Sequence, residues 1–213
     1  MKRMAFKRLA LSVCAVTLLS GALTACFPLV VGGAFAGGAL MSTDRRTSGA
    51  QLEDEGIELR GASRIRASVG ERAHVNLTSF NRQVLLTGEV PSAQDKQLIE
   101  QIVSRVENVT GVVNELAVMG NSTLPQRASD TLVTGRVKAG LLDASDLFAN
   151  SFKVVTERGT VYLMGRVTQR EANRGTEVVR GTSGVQKVVR VFEVISEAEL
   201  ARLQPAPPKQ TKP

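Results

Sequence analysis

Cys26 is the residue whose type and position most clearly predict a chemical modification. It follows Leu23-Thr24-Ala25 and closes a segment that begins with four basic residues in Lys2 to Arg8 and continues with the apolar stretch Leu9 to Leu19. A basic region, an apolar region and small residues before the cleavage point are the parts of a secretory signal. The apolar stretch is shorter than the roughly 20 residues of a membrane-spanning helix. We therefore predict that residues 1–25 are a signal peptide.

The cysteine count supports modification of the Cys26 thiol. The chain has two cysteines, and Cys14 lies inside the segment expected to be removed. A lone exposed thiol is a liability in an oxidising compartment unless it is capped, and acylation caps it. The segment resembles the lipobox of Gram-negative lipoproteins, and Phe27, rather than an aspartate, after the cysteine points to the outer membrane. The alternative is that Cys26 is buried in a leading helix.

Other residue types that could carry catalysis are sparse. His74 is the only histidine, and no second cysteine of the mature chain could join it in an ordinary zinc site. At a strand edge, we expect it to be a solvated surface residue. Glu53, Asp54 and Glu55 are expected to precede a helix, where acids interact favourably with the helix dipole. A paired-carboxylate hydrolase is the remaining enzymatic alternative. We predict no enzymatic activity, no cofactor and no metal site.

The charge of the chain argues against nucleic acid as a partner. The formal net charge is +7, but four of the 27 basic residues and none of the 20 acids lie in residues 1–25, which leaves +3. The sequence contains no basic block long enough for a nucleic-acid arm. A single Tyr and no Trp also provide few platforms for base stacking.

Both ends of the mature chain differ in composition from its middle. Residues 26–51 are expected to form a lipid-anchored linker, apolar and glycine-rich over 29–41 and polar over 42–51. The glycine-rich part is either a spacer lying against the membrane or a site of close helix packing. Residues 197–213 are rich in proline and lysine near their end, which predicts a disordered tail.

The middle of the chain contains an internal repeat. Val84-Leu85-Leu86-Thr87-Gly88-Glu89-Val90 matches residues 161–167, Val-Tyr-Leu-Met-Gly-Arg-Val, at an offset of 77. Gly111-Val112 matches Gly184-Val185 at an offset of 73. Two copies of one small unit therefore explain the pattern. We place the first module at residues 52–119, a linker at 120–128 and the second module at 129–196.

Each copy predicts the same order of elements. Apolar residues at a spacing of four indicate a helix, and two alternating segments joined by a short turn then indicate a β-hairpin. Ser92 and Thr168 each precede an acid by three residues, which is typical of a helix start. A last strand follows. The predicted fold class is α+β: two tandem αββαβ modules, each a three-stranded mixed sheet packed by two helices.

These repeated motifs, twice behind a lipobox, resemble the BON family. The strongest local matches are Val161 to Val167, Ser129 to Leu142 and the Gly184-Val185 turn. The resemblance implies periplasmic modules that bind anionic phospholipid and support envelope integrity, with functions in stress response and cell division, and without known catalytic chemistry.

The first helix of the second copy has an unusual composition. With Asp130 as the expected N-cap, Val133, Val137 and Leu141 should face the sheet. The remaining surface then carries apolar and small residues beside cations, which is typical of an interfacial helix. The candidate phospholipid-binding residues are Leu132, Gly135, Arg136, Lys138, Ala139 and Leu142.

The first copy lacks this composition at the aligned positions. Gly56, Arg60, Ser63 and Arg66 stand where Leu132, Arg136, Ala139 and Leu142 stand in the second. The leucines face either a membrane or the first module. We predict a monomeric outer-membrane lipoprotein that faces the periplasm and binds anionic phospholipid through its second module. The alternative is an adaptor that binds an outer-membrane or cell-wall protein, or peptidoglycan, and uses lipid only as a tether.

Overall fold

The two repeats fold into modules with the same order of helices and strands, and the computed structural model describes this part of the chain over residues 44–203. The elements of the first module are α1 (Ser48–Val69), β1 (His74–Phe80), β2 (Gln83–Val90), α2 (Ala93–Ser104), β3 (Gly111–Asn114) and β4 (Ala117–Val118). Those of the second are α3 (Leu124–Asp143), β5 (Lys153–Glu157), β6 (Thr160–Thr168), α4 (Gln169–Arg180) and β7 (Lys187–Ile195), followed by α5 (Glu197–Leu203). Short 3₁₀ turns at Gly70–Arg72 and Ala149–Ser151 precede the two hairpins.

Each module contains one mixed sheet, which confirms the predicted α+β class. In the first, β2 is central, pairing antiparallel with β1 and parallel with β3 and β4. β3 and β4 act as one edge strand interrupted at Glu115 and Leu116. In the second, β6 is central between antiparallel β5 and parallel β7. The capping predictions also hold, because the Ser92 and Thr168 side chains accept hydrogen bonds from the backbone N–H of Asp95 and Glu171.

The central strands are apolar on both faces because both faces are buried. Along β2, Val84 and Leu86 belong to the core beneath α1 and α2, whereas Leu85 between them points to the other side. In β6, Val161 and Leu163 lie in the core beneath the second module's helices, and Tyr162 alternates with them. Residues two apart in a strand share a face, so each strand separates two cores.

The core on the far side of the two sheets is shared between the modules. Its buried members come from both sheets: Phe80, Leu85, Tyr162, Met164 and Val191. The two sheets thus pack face to face, and the helices cover the outer faces. Desolvation by burial, together with the nearby carboxylate of Glu115, raises the pKa of Tyr162 to about 12. The modules are therefore joined by a hydrophobic interface in addition to their linker.

The glycine of the repeated strand motif allows two backbones to approach. Gly88 has φ +109° and a side chain there would collide with the backbone carbonyl of His74. Gly165, its counterpart, has φ +159° and would meet the carbonyl of Ser151 in the same way. In each module the central strand therefore lies too close to a neighbouring backbone carbonyl for any side chain. This explains why the repeated motif contains a glycine at the same position in both copies.

The residues that precede α1 contact both modules, in contrast to the expected polar linker. Arg45 makes two hydrogen bonds of 2.7 Å to the carboxylate of Glu171, and both side chains are almost fully buried. Arg46 pairs with Asp54 at 2.8 Å and stacks over the Phe80 ring at 4.2 Å. The chain therefore enters the fold at a fixed point between the modules.

The C-terminal segment begins with a helix, so the expected disorder from residue 197 is wrong for its first seven residues. α5 covers Glu197–Leu203 and buries Leu200. Arg166 pairs with Glu199 of this helix at 2.8 Å. The signal peptide, Cys26, residues 29–43 and residues 204–213 lie outside the described residues.

Candidate functional site

The candidate lipid-binding helix begins seven residues before the expected position. α3 starts at Leu124, and its N-cap is Thr123 rather than Asp130. The Thr123 side chain accepts from the backbone N–H of Gln126, while the Gln126 side chain accepts from the backbone N–H of Thr123 at 2.8 Å. With Pro125 in the first turn, this capping box fixes the start. The segment expected to be linker therefore adds nearly two turns to the helix.

Asp130 instead lies inside α3, where its buried carboxylate holds the hairpin turn of its own module. It accepts hydrogen bonds from the backbone N–H groups of Arg158 at 2.8 Å and Gly159 at 2.9 Å. Asp54 does the same in the first module, accepting from Asn81 and Arg82 at 2.7 Å each. The prediction that Asp54 precedes a helix is therefore wrong, because Asp54 lies within α1, where it is 2% exposed.

The inner face of α3 agrees with the sequence pattern. Val133, Val137 and Leu141 are all buried in the core of the second module. Gly140 contacts α4, because a side chain there would meet Val178 and Thr182. The orientation of α3 is thus fixed by its core residues, which determines which residues point outward.

The outer face of α3 carries an apolar ridge along its whole length. Every residue of this ridge is exposed. Its three leucines are Leu124, Leu132 and Leu142, which are 78%, 63% and 69% exposed. Spacings of four and three residues keep a set on one side of a helix. At 1.5 Å per residue the ridge is about 27 Å long. We call these residues the α3 ridge: Leu124, Ala128, Leu132, Gly135, Ala139 and Leu142.

Two exposed cations flank the ridge on opposite sides. Arg136 makes a long hydrogen bond of 3.5 Å to the backbone carbonyl of Ser183, and Lys138 lies on the other side of the helix. Within residues 44–203, neither forms an ion pair with a carboxylate. Asp143, the last residue of α3, is the one exposed acid of this helix. Four of the predicted site residues belong to the ridge itself, and the structure places the remaining two, Arg136 and Lys138, beside it.

The outer face of α1 differs in charge from that of α3. It also exposes two leucines, Leu52 at 69% and Leu59 at 74%, which the comparison of aligned positions did not reveal. Exposed Glu55 lies between them on the same side, however, and Arg60 is engaged by Glu53 at 2.6 Å. In contrast to α3, this face places an acid between its leucines and pairs its arginine with a carboxylate.

A second cluster of polar residues lies where the two modules meet, and it contains His74. The prediction of a solvated histidine is wrong, because its side chain is 19% exposed and its Nδ1 lies 3.0 Å from Oε2 of Glu89. Glu89 is fully buried, and Glu157 of the second module is 7% exposed. Asn76 donates to Glu157 at 2.9 Å, and burial raises the pKa of that carboxyl.

The structure describes no helix, within residues 44–203, that has both the length and the hydropathy needed to cross a bilayer. The exposed apolar residues of α3 form a stripe on one side rather than a continuous apolar cylinder.

Comparison with known proteins agrees with the fold and the repeat. The family model described as "BON domain" matches residues 57–120 and again residues 129–196. The chain belongs to the BON-domain family. The resemblance inferred from the repeated motifs is confirmed, and the two matched segments correspond to the two BON modules of the structure.

Three curated relatives are similar to this chain to different extents. The chain is 35% identical to "Outer membrane lipoprotein DolP" of Haemophilus influenzae, over 89% of this chain and 96% of that protein. It is 32% identical to "21 kDa hemolysin" of Actinobacillus pleuropneumoniae, over 71% and 79% of the two chains. It is 28% identical to "Osmotically-inducible protein Y" of Escherichia coli, over 54% and 58%. The first similarity supports an outer-membrane lipoprotein with two BON domains.

The sequence contains a signal for the N-terminal part of the ridge, which the predicted N-cap at Asp130 does not include. Thr123-Leu124-Pro125-Gln126 is a capping box with proline in the first turn, and recognising it would have added Leu124 and Ala128 to the outer face. With an N-cap at Asp130, both residues would instead lie in the linker. Extending the helix lengthens the apolar surface without adding an exposed acid to it.

Proposed function

We propose that this BON-domain protein is tethered to the outer membrane through acylated Cys26, faces the periplasm, and binds anionic phospholipid through the α3 ridge. Through this contact it helps to maintain the outer membrane. The observation that carries the proposal is the exposed ridge, which combines apolar residues, small residues and two flanking cations, with no exposed acid between Leu124 and Leu142 and one exposed acid, Asp143, at its C-terminal end.

Binding would combine two contributions: insertion of the apolar ridge and electrostatic attraction of the flanking cations to phosphate. Leu124, Leu132 and Leu142 would enter the boundary between head groups and acyl chains, where burying apolar surface is favourable. Arg136 and Lys138 would remain at the level of the phosphates. Each cation near an anionic surface contributes about 1 kcal/mol, so the pair favours anionic over zwitterionic lipid.

The structure supports an insertion that leaves the fold unchanged. The ridge is opposite the core face of α3, and Val133, Val137 and Leu141 remain in their own core when the outer face is covered. The Cys26 tether would confine the protein to the leaflet, so a weak site would act at high effective concentration. The chain lacks Trp, and no aromatic residue lies in α3, so the affinity of the ridge itself should be modest.

The proposal is tested by mapping backbone NMR shifts of the fragment 42–213, without its acyl anchor, as lipid micelles are added. We expect the largest changes along α3 with phosphatidylglycerol present and much smaller changes with phosphatidylcholine alone. Equal response to both lipids, or changes confined to the first module, would contradict the proposal.

An adaptor function is the second candidate, because the spacing of the ridge residues would also suit contact with a protein. Leucines alternating with Ala128, Gly135 and Ala139 at steps of four and three also suit packing against another helix. The partner would then be an envelope protein. In that case a pull-down with the same fragment should retain a protein that is lost when the ridge is changed, while lipid causes no shifts along α3.

A further inference from the structure

The interface between the modules gathers three side chains that can ligate a metal ion. His74 and Glu89 face each other as a register pair of the β1–β2 hairpin, and Glu157 approaches from the end of β5 in the other module. One potential ligand atom from each lies within 4.8 Å of the other two. The cluster thus combines one imidazole nitrogen with two carboxylates from separate modules.

Glu89 has a buried carboxylate oxygen without a hydrogen bond. The residue is 0% exposed, and its Oε1 makes no hydrogen bond among the described residues, although Arg158 Nη1 lies 3.6 Å away. Its Oε2 accepts from the backbone N–H of Ser122 at 3.0 Å and faces His74. A fully buried carboxylate oxygen that has only this long ion pair with Arg158, and no hydrogen bond, is costly unless a closer positive group satisfies it.

The donor types, and the distance between the two closest donors, fit a small transition-metal ion. Zn²⁺ binds His nitrogen at about 2.0–2.1 Å and carboxylate oxygen at about 2.0–2.2 Å, so neighbouring ligands of a tetrahedral site lie about 3.3 Å apart. His74 Nδ1 and Glu89 Oε2 are already 3.0 Å apart. We propose that His74, Glu89 and Glu157 bind one divalent transition-metal ion, with Zn²⁺ the ion that these ligands suit best.

The surroundings can accommodate this charge. Asp130 and Arg127 line a cavity of 230 Å³ that adjoins the cluster, and Arg158 lies beside Glu89. With a neutral histidine, three carboxylates face two guanidinium groups, which leaves one net negative charge to attract a cation. His74 and Glu157 also line the cavity, which leaves room for water as the fourth ligand.

A metal at this position would connect the two modules. Two ligands belong to the first module and one to the second, so the ion would reinforce the interface beside the shared core. This site is independent of the α3 ridge, since none of its ligands belongs to α3. Its failure would leave the proposed lipid contact unaffected.

The test uses the protein purified from membranes in detergent, stripped with a chelator and titrated with Zn²⁺ in a calorimeter. We expect one ion per chain and, at a hundredfold excess over the dissociation constant, a rise in melting temperature of about 5–10 °C. Co²⁺ should give the visible absorption of a four-coordinate site, which a purely structural role of these residues would not produce. Mg²⁺ and Ca²⁺ should compete weakly, because imidazole suits transition metals better.

The matched variants are His74→Gln and Glu157→Gln, with exposed Glu55→Gln as the control. Each ligand variant should weaken Zn²⁺ binding more than tenfold, since losing a group that merely supports a ligand already costs about 10- to 100-fold. Far-UV circular dichroism checks that each variant folds. If His74→Gln does not fold, Glu157→Gln provides the test of metal binding. Absence of saturable binding, or binding unchanged in the folded ligand variant, would overturn the proposal.

Discussion

Asp54 and Asp130 perform the same structural task in the two modules. Each lies inside the first helix of its module, and each uses both carboxylate oxygens to accept the two backbone N–H groups of the hairpin turn. All four turn residues have positive φ, as a type I′ turn requires, and Gly159 alone among them is a glycine. The aspartates therefore stabilise turns in which Asn81 and Gly159 adopt positive φ readily but Arg82 and Arg158 do not.

Replacing either aspartate by alanine should destabilise the fold by about 1–3 kcal/mol, because two buried backbone donors lose their acceptor. Asp54→Ala should cost more than Asp130→Ala, since it also removes the ion pair with Arg46. Urea unfolding of the fragment 42–213 measures both. Glu55→Ala, on the exposed side of α1, should stay within about 0.5 kcal/mol of the parent protein. Equal effects of Glu55→Ala and Asp54→Ala would contradict the assigned role.

Loss of stability in acid should depend on Glu171. Burial alone would raise the pKa of this carboxyl, but hydrogen bonds from Arg45 and Thr168 outweigh it, so the pKa lies below its usual value. The unfolded state then binds more protons, and the stabilisation is complete above the unfolded pKa near 4.5 and is lost as the pH falls through the folded pKa.

The corresponding measurement compares urea unfolding at about pH 6 and about pH 3.5. The parent protein should lose stability between the two conditions, and Glu171→Gln should lose less. Glu171→Gln should already be less stable at about pH 6, because it leaves buried Arg45 without its ion pair, a change that typically costs about 3–5 kcal/mol. An unchanged pH dependence in Glu171→Gln would show that other carboxylates determine acid stability.

The shared core predicts that the two modules unfold together. Leu85→Ala or Met164→Ala should cost about 2–5 kcal/mol, and each should lower the single transition of both modules. Calorimetry, together with hydrogen exchange measured separately for each module, distinguishes this joint unfolding from independent unfolding of the two modules. Leu77→Ala, a half-buried residue packed on the first module's own core, provides a milder comparison. Two separate transitions, with only the mutated module destabilised, would be inconsistent with the interface.

Cys26 should carry the lipid that retains the protein in the membrane. Mass spectrometry of the mature N-terminal peptide is expected to show acyl chains on this residue and the absence of residues 1–25. Cys26→Ser should release the protein to the soluble fraction, because the α3 contact alone is weak. An unmodified Cys26 thiol in membrane-bound protein would refute the anchor.

The local structure of this chain was predictable because it depends on neighbouring residues. The Ser92 and Thr168 caps and both hairpin turns follow from short motifs. His74 and Glu89 are equally distant from the Asn81-Arg82 turn, so their pairing could also have been read from the sequence. Glu157 belongs to the other module, and its approach depends on how the sheets pack.

The interface between the sheets illustrates what the sequence could not provide. Leu85 and Tyr162 are large, mainly apolar residues on the sheet face that points away from the helices. Such residues indicate that this face is also buried. Two modules, a membrane or a partner would satisfy that pattern equally. The choice depends on shape complementarity between surfaces that are distant in sequence. The same limit applied to Leu132 and Leu142, which the structure leaves exposed rather than packed on the first module.

The most direct test of the α3 ridge is co-sedimentation of the fragment 42–213 with vesicles of phosphatidylglycerol and phosphatidylcholine. Leu132→Glu and Leu59→Glu make a matched pair, since both replace a mostly exposed helical leucine, one in each module. We expect Leu132→Glu to weaken partitioning by about tenfold or more, since it removes an inserted apolar group and adds a negative charge. Leu59→Glu should bind as the parent does. Unchanged binding of Leu132→Glu, or equal losses in both folded variants, would contradict lipid binding through α3.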